Sequence, residues 1–199
     1  MKTLRLSLIE LLVVAGFTVP GRADVIYDNT AHWLGGYGFT ALEQGDEVYA
    51  AGSARWVTKL TIGVSHQGEP GTADLQARLY ANDGAGGIPG TPLWQSAVMA
   101  NTPLSGGVQL VSFAVPDVLV PDSFTWTLQV LAYTIPAVGL VNGDPPAVGS
   151  SPNFDWFGGP GHWTQLDYSD WIARVEAIPE PSSALLLLGA LAVLAWRRK

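Results

Sequence analysis

A stretch near the C-terminal end of the chain combines aromatic and acidic side chains at a spacing that suits sugar recognition. Within residues 154–171, the aromatic residues Phe154, Trp156, Trp163, Tyr168 and Trp171 alternate with carboxylates and an amide. Aromatic rings can cover the apolar faces of a sugar, while carboxylate and amide groups bind its hydroxyls. Large aromatic side chains are often buried, so the alternative is that these rings close one end of the fold. The candidate glycan contacts are Trp156, Trp163, Tyr168 and Trp171.

The glycine-rich sequence NDGAGGIPG, residues 82–90, is a second candidate for chemistry. A calcium loop needs several oxygen ligands at short intervals, and only Asp83 meets that requirement. We therefore expect a hairpin loop in which Asn-Asp-Gly supplies positive φ, with no metal ligand and no cofactor. Structural Ca²⁺ is the weaker alternative. Pairing of the first and last strands would offer the same ion a group of aspartates, Asp24, Asp28, Asp167 and Asp170.

No catalytic residue is predicted, and we expect no enzyme activity. His32, His66 and His162 lack the paired spacing of a zinc site, and we expect them to face solvent. The sequence has no Gly-x-Ser-x-Gly, no P-loop and no dinucleotide fingerprint. It has no cysteine, which excludes thiol nucleophiles and thiolate metal sites. A carbohydrate-active enzyme stays open as an alternative, because a convergent pair of carboxylates leaves no spacing signature.

The elements that must position these residues are predicted to be strands. Apolar and polar residues alternate with period two, and clusters of Gly, Pro, Asn and Asp separate the alternating runs. This pattern predicts an all-β, jelly-roll-like β-sandwich of about eight or nine strands. Turns are expected at 66–72, 82–92, 101–107 and 120–123. The candidate strands are 24–27, 47–51, 55–66, 73–81, 93–99, 108–115, 123–135 and 171–176.

The N-terminal end has the features of a secretory signal peptide, predicted over residues 1–23. Lys2 and Arg5 precede an apolar run at 6–19, and small residues stand at Gly21 and Ala23. This order predicts cleavage between Ala23 and Asp24 and export through the Sec translocon. Residues 24–177 then form a single β-sandwich domain.

The last residues, 178–199, have three parts in a fixed order. Pro179-Glu180-Pro181 comes first, an apolar run at 184–196 follows, and Arg197, Arg198 and Lys199 come last. The run would form a transmembrane helix of only ~20 Å, against a hydrocarbon core of ~30 Å. The cations suit the cytoplasmic side of a membrane. A short helix fits a transient hold in the inner membrane better than a permanent anchor.

This three-part tail resembles the PEP-CTERM sorting signal of Gram-negative bacteria. The resemblance implies recognition by a membrane-embedded exosortase, removal or exchange of the tail, and export to the cell surface or extracellular matrix. Members of this family often accompany exopolysaccharide production. The sequences LYANDGAGGIPGTPLW, VPDSFTWTLQV and DWIARVEAIPEP are similar to choice-of-anchor sandwich domains of such surface proteins, which implies a fold and no chemistry.

The charge of the predicted domain limits its partners. Residues 24–177 contain four cations against fifteen acidic residues, a formal charge of −11. Such a surface repels phosphate backbones, so we expect no nucleic-acid binding. We therefore expect a non-enzymatic exported surface or matrix protein associated with exopolysaccharide or biofilm. The alternative is a carbohydrate-binding module or a carbohydrate-active enzyme on the same sandwich.

Overall fold

A computed structural model describes residues 22–35, 38–39, 43–66, 68–135, 137–143, 145–166 and 170–180. Every regular element in these ranges is a β-strand and lies within one compact unit, Ala23–Pro179, so the all-β prediction is confirmed. The strands are β1 (Asp24–Asp28), β2 (Gly38–Phe39), β3 (Glu43–Tyr49), β4 (Trp56–His66), β5 (Gly71–Ala81), β6 (Pro92–Gln95), β7 (Met99–Leu104), β8 (Gly107–Leu119), β9 (Ser123–Tyr133), β10 (Val138–Leu140), β11 (Asp155–Gly158), β12 (Thr164–Leu166) and β13 (Ala173–Ile178).

The strands form two antiparallel sheets in a sandwich-like fold. The first sheet has the order β1-β13-β4-β10-β2, and β8 also pairs with β4. The second has the order β12-β11-β3-β9-β5-β6, and β7 also pairs with β5. The first and last strands pair directly, with Asp24 opposite Ala177. The jelly-roll connection stays a prediction.

The core lies between the two sheets and is built from alternate residues of their long strands. Leu60 and Ile62 of β4 are fully buried, as are Phe124, Trp126 and Leu128 of β9. Successive side chains of a strand point to opposite faces, so each set covers one face of its sheet. Burial of one such side chain contributes about 1.5–3 kcal/mol. The alternation in the sequence correctly predicted these buried faces.

The strands are more numerous than the eight or nine predicted, because several contain only two to four residues. The predicted strand 93–99 divides into β6 and β7, and β7 extends into the predicted turn 101–107. Asp74 Oδ1 accepts a hydrogen bond from the backbone N–H of Asn101 at 2.7 Å and holds the start of β7. Pro103 is tolerated in β7 because this strand pairs on one side only, with β5.

The predicted long connection between residues 142 and 170 adds two strands to the second sheet. β11 pairs with β3, and β12 pairs with β11. Isolated bridges join Tyr49 to Ser150 and Asp28 to Val148. Most of this segment is therefore held against the sandwich by backbone hydrogen bonds, and it positions the aromatic residues considered below.

The predicted membrane helix, 184–196, lies outside the described residues, as does the predicted signal peptide apart from Arg22 and Ala23. Across the part of the chain that the structure describes, no helix is long and apolar enough to span a membrane.

Candidate ligand-binding cleft

A cleft of about 810 Å³ opens at one end of the second sheet. The ends of β3, β5 and β12 meet the starts of β9 and β11 there, because neighbouring strands run antiparallel. The lining combines aromatic rings, carboxylates, amides and a hydroxyl. The rings are those of Tyr49, Phe154 and Trp156, and the carboxylates those of Glu47, Asp83 and Asp122. The amides are those of Asn82 and Gln165, and the hydroxyl is that of Ser123.

A chain of hydrogen bonds fixes the polar side of the cleft. The buried Thr125 hydroxyl donates to Asn82 Oδ1 at 2.7 Å, and Asn82 Nδ2 donates to Ser123 Oγ at 2.7 Å. Ser123 in turn donates to Glu47 Oε1 at 2.7 Å. Three strands contribute to this chain, because Thr125 of β9 lies opposite both Glu47 of β3 and Tyr80 of β5. Glu47 and Asn82 are therefore held in fixed positions at the cleft.

Asp83 stabilises the loop between β5 and β6. Its two carboxylate oxygens accept hydrogen bonds from the backbone N–H and the hydroxyl of Thr91, each at 2.6 Å. These bonds hold the pKa of the exposed Asp83 below its usual value. The loop packs so closely that a Cβ on Gly90 would lie 2.2 Å from Asp83 Oδ1 and 2.7 Å from the backbone nitrogen of Gly84. Positive φ occurs at Gly86 and Gly87, so the prediction that Asn-Asp-Gly supplies it was wrong.

Asp122 lines the cleft and forms an ion pair with Arg55. Arg55 Nε donates to Asp122 Oδ1 at 2.8 Å, and Arg55 Nη1 donates to the carbonyl of Ala54 at 2.7 Å. The Asp122 side chain is 90% exposed, whereas that of Arg55 is 14% exposed. The carboxylate, rather than the guanidinium, is therefore presented to solvent.

Three aromatic side chains line the cleft and differ in accessibility. Tyr49 is 44% exposed, Phe154 is half-buried and Trp156 is only 5% exposed. Phe154 and Trp156 meet edge to face, with ring centroids 5.4 Å apart and an interplanar angle of 80°. The Trp156 indole N–H has no hydrogen-bond partner among the described residues. Tyr49 is thus the ring most open to stacking, and Trp156 forms a fixed wall.

The other predicted glycan contacts lie elsewhere. Trp163 is half-buried, and its ring packs edge to face on Tyr80 at 5.4 Å. Tyr80 donates to Glu43 Oε2 at 2.8 Å, so Trp163 covers a polar network on the second sheet. Trp171 is 4% exposed and belongs to the hydrophobic core. Tyr168 lies outside the described residues. Of the four predicted contacts, the structure brings Trp156 to the cleft and places Trp163 and Trp171 away from it.

A separate pair of carboxyl groups lies in the interior. Asp46 of β3 and Asp155 of β11 stand opposite each other in the strand pairing, and both are fully buried. Asp46 Oδ2 accepts the backbone N–H of Trp171 at 3.0 Å, and Asp155 Oδ2 accepts the amide of Gln44 at 2.9 Å. Their Oδ1 atoms have no partner among the described residues.

Burial raises the pKa of Asp46, Asp155 and Asp170, since a carboxylate loses its hydration when buried. For Asp46, the negative charges of Asp170 and Asp155 raise the pKa further, by like-charge repulsion. Asp170 accepts the Ser151 hydroxyl at 2.9 Å, and Ser151 in turn accepts the Tyr27 hydroxyl at 3.3 Å. These groups connect the two sheets and do not line the cleft.

The predicted calcium ligands are engaged in other contacts or dispersed. No group of three or more metal-binding side chains occurs among the described residues. Asp28 accepts Thr30 and pairs with Arg174 at 3.3 Å, while Asp167 lies outside the described ranges. His32 and His162 are exposed as expected, but His66 is 3% exposed at the end of β4. The expectation that His66 faces solvent was therefore wrong.

Sequence reasoning missed most of the cleft. Glu47, Tyr49 and Ser123 drew no attention, because they are far apart in sequence and meet only through the pairing of β3 with β9. The predicted strand bounds hid this, since they placed Glu47 at the start of a strand and Tyr49 inside it. In the structure Tyr49 ends β3 beside Ser123, the start of the antiparallel β9.

Ala23 and Asp24, at the predicted signal cleavage, are exposed at the start of β1. At the other end β13 stops at Ile178, and Pro179 and Glu180 follow it as exposed residues. Proline has no backbone N–H, so it cannot continue the ladder. Pro181, Arg197, Arg198 and Lys199 lie outside the described residues.

Comparison with known families gives one match. The PEP-CTERM protein-sorting motif matches residues 177–199, which confirms the resemblance drawn from the tail. The motif implies an exported surface protein of a Gram-negative bacterium that is processed at the membrane by an exosortase. No curated protein and no solved structure matches this chain.

Proposed function

We propose that this chain is a non-enzymatic surface or matrix protein whose β-sandwich binds exopolysaccharide in the cleft beside Tyr49. The observation that carries the proposal is the convergence of an exposed ring with fixed carboxylate, amide and hydroxyl groups in one open cleft. The apolar face of a sugar ring can stack on Tyr49, and sugar hydroxyls can bind Glu47 and Asn82. Trp156 closes the cleft without needing to stack.

The sorting motif supports a role outside the cell. Export through the Sec translocon, a transient hold in the inner membrane and exosortase processing would deliver the sandwich to the cell surface or matrix. A polysaccharide matrix surrounds proteins there, and an open cleft of about 810 Å³ can accommodate a few sugar rings. Association with biofilm follows if the matrix polysaccharide is the ligand.

The carboxyl groups support binding rather than catalysis. A glycosidase needs a carboxylic acid of raised pKa beside the scissile bond, with a second carboxylate across the sugar. The described carboxyls of raised pKa, Asp46, Asp155 and Asp170, do not line the cleft. In the cleft, the pKa of Asp83 is lowered and both of its oxygens are bound by Thr91.

Retention of the full chain on immobilised matrix polysaccharide tests the proposal. Tyr49→Ala should remove most of the retention and leave the melting temperature unchanged, because the ring is exposed. Tyr133→Ala is the matched control, since Tyr133 is 56% exposed on β9 and does not line the cleft. Equal retention of wild type and Tyr49→Ala would argue against the cleft. Release of new reducing ends from the polysaccharide would instead favour a carbohydrate-active enzyme.

A further inference from the structure

The charged side chains that line the cleft are all negative. Its described lining carries three carboxylates, those of Glu47, Asp83 and Asp122, and contains no lysine, arginine or histidine. Of these three, only Asp122 has a cationic partner, Arg55. The Arg55 guanidinium also donates to backbone carbonyl groups and is only 14% exposed. A ligand entering the cleft therefore meets a negative potential.

The cations of the sandwich are not available to neutralise an acidic ligand. Besides Arg55, each of the remaining three between residues 24 and 177 contacts a carboxylate in the described structure. Lys59 pairs with Glu176 at 3.1 Å, Arg174 pairs with Asp28 at 3.3 Å, and Arg78 pairs with Glu43. A uronic acid chain in the cleft would face like charges and find no unpaired cation, which costs affinity.

A protonated amine fits the same surroundings. An ammonium group donates three hydrogen bonds and has no lone pair to accept one, so it needs acceptors around it. Glu47 and the exposed Asp122 supply carboxylate acceptors from adjoining strand ends. The exposed ring of Tyr49 adds an aromatic face, which attracts a cation within about 6 Å of its centroid.

The Trp156 indole is an independent observation that points to a ligand. Trp156 is nineteen-twentieths buried, lines the cleft, and its N–H has no partner among the described residues. A buried donor without a partner carries a desolvation penalty that a bound acceptor relieves. A sugar hydroxyl can accept from this N–H after a small shift of the ring, because the nitrogen itself is buried.

We propose that the cleft selects amine-bearing glycans, in which 2-amino-2-deoxy sugars carry free, protonated amino groups. This inference rests on the proposed function and names the class of polysaccharide that the cleft takes. The carboxylates of Glu47 and Asp122 bind the ammonium, Tyr49 stacks on the ring, and Asn82 binds hydroxyls. N-acetylation removes the charge and adds bulk, and a carboxylate on the sugar reverses the charge.

Equilibrium binding of the full chain to three matched oligosaccharides provides the test. The probes are glucosamine, N-acetylglucosamine and uronic acid oligomers of equal length, measured at mildly acidic pH, where the sugar amine is protonated. The glucosamine oligomer should bind about tenfold or more tightly than the N-acetylated one, and added salt should weaken its binding. The uronic acid oligomer should bind weakest.

Charge-neutralising variants locate the effect. Glu47→Gln keeps the shape and the oxygen that accepts from Ser123, and Asp122→Asn changes an exposed group. Asp122→Asn should weaken glucosamine binding about fivefold, as expected for one solvent-accessible ion pair. Glu47→Gln should weaken it at least as much, because Glu47 is only 7% exposed. Glu69→Gln is the control, because it removes the same charge from an exposed position outside the cleft. If melting curves show that one of the two cleft variants fails to fold, the binding measured for the other variant decides the outcome.

The outcomes separate the inference from the proposed function. Equal affinity for the glucosamine and N-acetylglucosamine oligomers would overturn the amine preference and leave polysaccharide binding standing. Equal losses in Glu47→Gln, Asp122→Asn and Glu69→Gln would mean a general attraction to an acidic protein, which also overturns the inference. Absence of binding to oligomers of all three classes and to matrix polysaccharide would overturn both.

Discussion

Carboxyl groups gather in two parts of this sandwich, and their surroundings give them opposite properties. In the cleft, Asp83 is exposed and its hydrogen bonds to Thr91 lower its pKa. In the interior, Asp46 is fully buried and its pKa is raised, first by loss of hydration and then by nearby carboxylates. The same side chain is therefore an exposed charge that fixes a loop in one place and a buried, proton-holding group in the other. The net charge of a domain says nothing about this division.

The aromatic residues divide in the same way, which leads to the largest expected effect. Trp171→Ala should lower the free energy of unfolding by about 3–5 kcal/mol, because a buried indole leaves a cavity in the core. Tyr49→Ala should change it by less than about 0.5 kcal/mol, since the ring is exposed. Chemical denaturation of both variants measures the contrast. A similar loss in both would mean that the cleft ring is also structural.

Close packing of the loop between β5 and β6 gives the next effect. Gly90→Ala should destabilise the protein by about 1–3 kcal/mol, because the new Cβ would collide with Asp83 and the backbone of Gly84. Gly159→Ala is the matched control, since a Cβ there meets nothing within 4 Å and no positive φ opposes it. Thermal unfolding of the two variants tests this. An unchanged Gly90→Ala protein would show that the loop is not held rigidly by Asp83.

The raised pKa values predict how stability depends on pH. A carboxyl group that binds its proton more tightly when folded stabilises the protein most below its unfolded pKa. That stability is lost as pH rises toward the folded pKa. Stability should therefore decline from mildly acidic to neutral pH, and Asp46→Asn should flatten this decline. At neutral pH, Asp46→Asn should raise the free energy of unfolding by about 1–2 kcal/mol, because no buried charge can form.

Urea unfolding across the pH range checks this prediction, and Asp117→Asn on the exposed part of β8 serves as the control. The interpretation is wrong if Asp46→Asn destabilises the protein at neutral pH, since the ionised carboxylate would then be the stabilising form.

The smallest effect concerns calcium. EDTA and added Ca²⁺ should each shift the melting temperature by less than about 1 °C. Asp83 is bound by Thr91, and Asp28 by Thr30 and Arg174, so neither is a free ligand. A rise of several degrees with Ca²⁺ would restore the alternative of a structural ion and would make the acidic interior its first candidate site.

Alternation predicted the long strands well because each of them buries one apolar face. The positions of β4 and β9 were predicted from the sequence for that reason. Only the end of β3 was predicted, within 47–51, since its first four residues, Glu-Gln-Gly-Asp, are polar or small and resemble a surface loop. They are buried because β11 and β9 flank them, a contact made by a segment more than a hundred residues away. Local pattern carries no information about such a neighbour.

The candidate site was predictable only in part for the same reason. The sequence indicated an aromatic segment near residues 154–171, and one of its four proposed contacts, Trp156, reaches the cleft. Trp171 instead donates its backbone N–H to the buried Asp46. Glu47 and Asn82 become neighbours only through Ser123 and Thr125 on the strand between them. Their juxtaposition is a property of strand register, which no single stretch of the sequence encodes.

The position of β13 has a consequence for the order of assembly. This strand lies between β1 and β4, although, of the strands that the structure describes, β1 is synthesised first and β13 last. β1 therefore cannot find its partner until the residues just before Pro179 have emerged. Translocation of the chain in the N-to-C direction would leave the first sheet open, with β1 lacking its partner strand β13, until the sorting tail itself arrives. Completion of the fold and arrival of the tail at the membrane would then be nearly simultaneous.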